Sequence, residues 1–109
     1  MTTPDPSAAW TDMAAADVLA ADDVIALNGP QGEIALYSVE GQVYATDNQC
    51  SHGQARLCEG FLLDHEIECP LHQGRFDVRS GLATCEPAAT AIRGYPVKIE
   101  GGRVWLQLG

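Results

Sequence analysis

A chain of 109 residues is short for two domains that each bury a core, and 46% hydrophobic residues supply one core of modest size. Six basic residues against fifteen acidic ones give a formal charge of −9, which repels phosphate backbones and argues against nucleic acid as a partner. The uncharged stretches fall well short of the roughly 20 apolar residues of a membrane span, and the N-terminus has no basic start or apolar signal core, so a cytoplasmic protein is expected.

Met1 to Ala9 is polar and Pro-containing, and reads as a loosely held lead-in to a first strand around Trp10. The alanine-rich stretch Met13 to Ala21 has high helix propensity but is too short to be secure alone, so a short helical turn or loop is expected before Asp22 and Asp23. Val24 to Leu27, Glu33 to Val39 and Gln42 to Asp47 are rich in Val, Ile, Leu and Tyr and read as strands, separated by turns at 28–32 and at Glu40-Gly41. From Cys50 to about Pro87 the periodicity weakens, with strands expected only at Gly60 to Leu63 and His65 to Cys69. Tyr95 to Glu100 and Arg103 to Leu108 form a hairpin about Gly101-Gly102. Alternation along it puts Val97, Ile99, Val104, Leu106 and Leu108 on one core-facing side. The expected fold is all-β: one domain over residues 1–109, an antiparallel framework presenting a central segment with two loops.

Four cysteines in a chain without an export signal read as metal ligands or buried thiols before disulfides. Cys50 and Cys69 each precede a histidine closely, whereas Cys58 and Cys85 do not. The constellation is Cys50-Ser51-His52, sixteen residues, then Cys69-Pro70-Leu71-His72. A structural zinc site can use the same four side chains, but its common pattern places the cysteines in one half and the histidines in the other. A two-iron, two-sulfur centre with two imidazoles in place of two thiolates needs each loop to give one thiolate to one iron and one imidazole to the other. The mixed spacing favours that centre, with a zinc-stabilised binding module as the alternative.

Cys50-Ser51-His52-Gly53 with 69–77 (CPLHQGRFD) resembles the Rieske signature. The wider stretch from Tyr44-Ala45-Thr46-Asp47 to Phe76-Asp77, and Tyr95-Pro96-Val97-Lys98 later, resembles the ferredoxins of bacterial aromatic-ring-hydroxylating dioxygenases, especially the naphthalene dioxygenase type, over nearly the whole chain. The resemblance implies a Rieske fold, an antiparallel β-sandwich framework with a cluster-binding subdomain at about 48–87. It also implies one [2Fe-2S] cluster, with Cys50 and Cys69 on a buried iron and His52 and His72 on an outer one. A loop around Glu86-Pro87 would cover a third side.

High-potential members of the wider family join the two loops by a disulfide and add Ser and Tyr hydroxyls toward the cluster. Here Ala55 and Leu71 stand where the disulfide cysteines would be, and Gly74 and Phe76 where the hydroxyls would be. Fewer donors leave the reduced cluster less stabilised, so a potential near the low end of the roughly −150 to +300 mV Rieske range is expected. The implied role is an electron carrier between a flavoprotein reductase using NAD(P)H and a terminal oxygenase, docking transiently and as a monomer. Leu71, Gln73 and Gln54 in the ligand loops are candidates for the docking face.

Hydroxylation by the chain itself is not expected, because a mononuclear iron normally needs two further histidines and a carboxylate and only His65 remains. The small subunit of nitrite reductases can keep such a fold without a cluster, but those chains lack the ligands. His65, in the Asp64-His65-Glu66 turn, reads as a solvated side chain. Cys58 and Cys85 read as bystander thiols, and Trp10 and Trp105 as core or edge packing.

Overall fold

The computed structural model describes residues 3–51, 54–71, 74–85 and 90–108. Among the described residues, eleven strands form three antiparallel sheets. β1 (Thr11–Ala15), β11 (Arg103–Leu106) and β10 (Val97–Glu100) make the first, in that order. The second runs β2 (Val24–Gly29), β3 (Gly32–Val39), β4 (Gln42–Asp47), β9 (Gly94–Tyr95), and the third β5 (Phe61–Leu63), β6 (Glu66–Glu68), β7 (Arg75–Asp77), β8 (Ala83–Cys85).

Strand β3 explains how the layers hold together. Successive side chains on a strand point to opposite faces, and here both faces are covered. Ile34 and Leu36 pack with Ala45, Tyr95, Val104 and Leu106 in one core cluster, which the first sheet closes. Ala35, Tyr37 and Val39 pack with Leu57, Ile67, Phe76 and Val78 in another, which the third sheet closes. A strand buried on both sides reads as an unbroken apolar run, and residues 34–39 are all buried. Each large side chain so buried contributes about 1.5–3 kcal/mol. The Tyr37 phenol, sealed in this layer, reaches Thr46 Oγ1 at 2.8 Å, and burial pushes its pKa well up.

The strand pairs 33–39 with 42–47 and the Gly101-Gly102 hairpin lie where the alternation and turn chemistry put them. Glu40 and Gly41 have φ of 52° and 78°, Gly101 and Gly102 60° and 73°, the left-handed pairs that two-residue hairpins need. Other expectations are corrected. The alanine-rich stretch holds the expected short helical turn, a 3₁₀ turn at Ala16–Val18, but its first residues, Met13 to Ala15, belong to β1, paired with β11. Sheet pairing, and the seat of Met13 against the second core, outweigh alanine's helix propensity. The run Tyr95 to Glu100 is two strands, because Pro96 has no N–H for a ladder, and the chain changes sheets there. Ile99 is 48% exposed: β10 is an edge strand and no layer covers its outer end. Strands β7 and β8 appear where none was expected.

The lead-in is also held. Gln107, buried, donates from Nε2 to the carbonyls of Asp5 (2.7 Å) and Ala8 (3.1 Å), and its Oε1 accepts from Asp5 N–H (2.7 Å). Trp10 and Trp105 pack at this edge as expected, with the Lys98 ammonium 4.8 and 5.8 Å from their ring centres.

Candidate metal centre

Two loops of equal length start from paired residues, and their cysteines share one core cluster. The first rises from the bridge Gln49↔Arg56, the second from the pair Glu68↔Arg75 that ends the β6/β7 hairpin. In each, the residue after the first bridge partner is a cysteine whose N–H donates to the carbonyl five residues on: Cys50 to Ala55 at 2.9 Å, Cys69 to Gly74 at 2.7 Å. The two loops are therefore closed in the same way. Cys50 is 3% exposed and Cys69 1%, and both lie in the core cluster that contains Phe76, Leu57 and Ile92.

The base of the first loop is gripped by Asn48, which is 1% exposed. Its N–H donates to the Glu33 carbonyl (3.0 Å), its carbonyl accepts from Leu57 N–H (2.7 Å) and its Oδ1 accepts from Cys58 N–H (2.9 Å). Its Nδ2 donates to Glu33 Oε1 (3.3 Å) and reaches Cys58 Sγ (3.4 Å). One amide thus joins both ends of the loop to β3. Outside it, Arg56 holds Glu33 through two nitrogens at 2.8 Å and Glu59 through a third contact at 2.8 Å, which keeps the Glu33 carboxyl below its usual range. Nothing in the motif itself pointed to Asn48. The available signal was an amide residue two places before a cysteine expected as a ligand, where a loop needs its backbone groups satisfied.

Beside the first loop, the segment Thr90–Arg93 runs along the core. Asp47 N–H donates to the Arg93 carbonyl and Ile92 N–H to the Gly81 carbonyl, both at 2.9 Å. Gly81 has φ of 82°, and a Cβ there would lie 2.1 Å from the Ile92 carbonyl oxygen, so no side chain fits. Tyr95 donates to Asp47 at 2.5 Å, and burial together with that carboxylate pushes its phenol pKa up to about 12.

Of the four residues expected as ligands, the structure brings together Cys50 and Cys69. His52 and His72 lie outside the described residues, as do Gln73 and the Glu86-Pro87 loop. Among the described residues no group of three or more His, Cys, Asp or Glu side chains gathers elsewhere in metal-binding range. Two buried thiols heading two matched loops are the soft donors that an iron–sulfur cluster takes, so the residues present fit such a group. Ala55 and Phe76 are buried, and neither offers a thiol or hydroxyl. Gln54 is exposed, and Leu71 is 59% exposed at the outer side of the second loop.

The bystanders separate from the site. Cys58 is half-buried and Cys85 exposed, and the two are not joined. His65 is packed rather than solvated: its ring stands edge-on to Tyr44, centroids 6.0 Å apart, with Glu40 3.8 Å away and three-quarters of its side chain covered.

Residues 9–96 match the family model of the Rieske [2Fe-2S] domain. The ferredoxin component of the naphthalene 1,2-dioxygenase/salicylate 5-hydroxylase systems of Ralstonia sp is 54% identical over 99 residues, 91% of this chain and 95% of that one. Among solved structures, the Sphingomonas yanoikuyae B1 ferredoxin superposes with a TM-score of 0.86 at 33% identity, over 93% of this chain and all of that one. A complex of reduced oxygenase and oxidised ferredoxin in carbazole 1,9a-dioxygenase contains a chain with a TM-score of 0.83 at 32% identity, over 90% of this chain and 92% of that one.

Proposed function

The chain belongs to the Rieske [2Fe-2S] domain family, and from that we propose that it is the ferredoxin component of an aromatic-ring-hydroxylating dioxygenase system. It passes single electrons from an NAD(P)H-dependent flavoprotein reductase to a terminal oxygenase, as a cytoplasmic monomer whose residues 1–109 form one domain. The observation that carries this reading is the pair of equal loops, each headed by a buried cysteine with the same closing hydrogen bond. Cys50 and His52 from the first loop, with Cys69 and His72 from the second, hold one Rieske [2Fe-2S] cluster. Bound there, the cluster supplies a one-electron couple.

The residues around the loops fit a carrier. The buried thiols sit in an apolar core, where Phe76 contributes area but no hydroxyl, so no side-chain donor from that position favours the reduced state. Residues 49–55 and 69–74 contain no Asp, Glu, Lys or Arg, and present Gln54 and Leu71 to solvent. An uncharged tip avoids burying unpaired charge each time a partner docks and leaves. Charge begins one step below, at Glu33, Arg56 and Glu59 on one side and Glu66, Glu68 and Arg75 on the other. Each trio carries one surplus carboxylate, so encounter with a basic rim is accelerated while the contact itself stays small.

The ligand assignment is tested by replacing both His52 and His72 with Cys. The expected outcome, where a cluster assembles, is a reduction potential moved toward the roughly −400 mV of all-cysteine plant-type ferredoxins. An unmoved potential contradicts the assignment. Steering has its own test: reductase-dependent electron transfer is expected to slow as salt rises from about 0.01 M to 1 M, over which the Debye length falls from about 30 to 3 Å. A rate that ignores salt removes steering and leaves the cluster assignment untouched.

A further inference from the structure

The two ligand loops close alike but are not equally supported. The second is the end of a paired hairpin inside a four-stranded sheet, while the first stands on the isolated bridge Gln49↔Arg56 and the Asn48 clamp beneath it, outside any sheet. Above that bridge, besides the Cys50 to Ala55 closure, Ser51 gives the described part of the first loop a long-range tie. Ser51 Oγ donates to the Thr90 carbonyl at 2.5 Å, across 39 residues of sequence. Thr90 opens a segment that is itself fixed at Ile92, by the Gly81 carbonyl and by burial of the Ile92 side chain among Cys50 and Cys69, and at Arg93, by Asp47. It therefore serves as a post rather than as another loose loop. In the second loop the positions after Cys69 are Pro70 and Leu71, which have no hydroxyl to make an equivalent tie.

We propose that Ser51 is a positioning residue: its hydroxyl, held by the Thr90 carbonyl, fastens the start of the first ligand loop, next to Cys50, to the 90–93 segment and so slows loss of the metal centre. The proposal rests on the ligand assignment above and adds a role for a residue that ligates nothing. The tie is exposed to water, so its loss leaves the global fold almost unchanged and acts on loop opening alone.

The test compares Ser51→Ala, Ser51→Thr and Ser51→Val in the full cluster-containing protein. Threonine keeps the hydroxyl, and valine is its isosteric partner without one. Two quantities are measured: the rate at which visible absorption is lost to an iron chelator, and the far-UV unfolding midpoint. Ala and Val are expected to lose the cluster several-fold faster than wild type, about the factor that one ordinary hydrogen bond supplies, with Thr restoring the wild-type rate and all unfolding midpoints close together. Equal rates for Thr and Val overturn the proposal, as does an alanine variant that loses its cluster no faster than wild type. Should alanine at this position prevent folding, the Thr and Val pair still decides. Failure of the parent reading shows differently, as wild-type protein without iron.

Discussion

Serine at Cys69, or at Cys50, is expected to yield a folded but colourless protein, whereas serine at Cys58 or Cys85 leaves iron, acid-labile sulfide and visible absorption at wild-type levels. The four cysteines differ in what surrounds them. Cys50 and Cys69 are 3% and 1% exposed, share one core cluster, and head the two matched loops. Cys58 is occupied with Asn48, its N–H on Oδ1 and its sulfur near Nδ2, and Cys85 is exposed at the end of β8. Iron–sulfur clusters are held through thiolates, and a hydroxyl in the same place is a harder, poorer donor. Loss of a ligand is therefore expected to exceed the roughly 10–100-fold that removal of a group supporting a ligand costs. Full iron content in Cys69→Ser, measured with sulfide on the same sample, contradicts the account.

The second large effect is expected at Asn48, which is not among the proposed ligands. Asn48→Ala removes an amide that is 1% exposed and accepts from Cys58 N–H while donating to Glu33. The Cys58 N–H loses its partner, the first loop loses the clamp that joins its two ends, and a void is left where a 1% exposed side chain stood. Together these are expected to cost about 2–4 kcal/mol, read as a lower urea midpoint with an unchanged slope. Arg56→Ala, which breaks only the half-exposed ion pairs to Glu33 and Glu59, is expected to cost under about 1 kcal/mol. If the two substitutions destabilise equally, the buried amide is not the clamp of the loop.

How much of this was legible in the chain depends on how local each signal is. The ligand motif is local, two short clusters of residue types whose chemistry few other arrangements use, and its cysteines lie together as expected. The hairpins at Glu40-Gly41 and Gly101-Gly102 are local too, since left-handed backbone and flanking alternation are both written within a few residues. Strands β7 and β8 are three residues each and become strands only because β6 lies alongside β7 and β7 alongside β8. No window of the sequence contains that information. Met13 to Ala15 failed for the same reason: the partner that makes them a strand is β11, some ninety residues away. His65 looked solvated because its turn is polar, and Tyr44, which covers it, arrives from another sheet. Asn48 shows the general case at the site itself. A motif names the atoms that bind, but the side chains that hold those atoms still are found by folding the rest of the chain around them.

The most direct measurement is the reduction potential of the purified protein by voltammetry, with iron and acid-labile sulfide assayed on the same sample. Two irons and two sulfides per chain with a potential near about −150 mV, the low end of the Rieske range, is the expected result for loops without a disulfide or neighbouring hydroxyls. A potential well above zero contradicts the low-potential carrier, and zinc in place of iron contradicts electron transfer altogether.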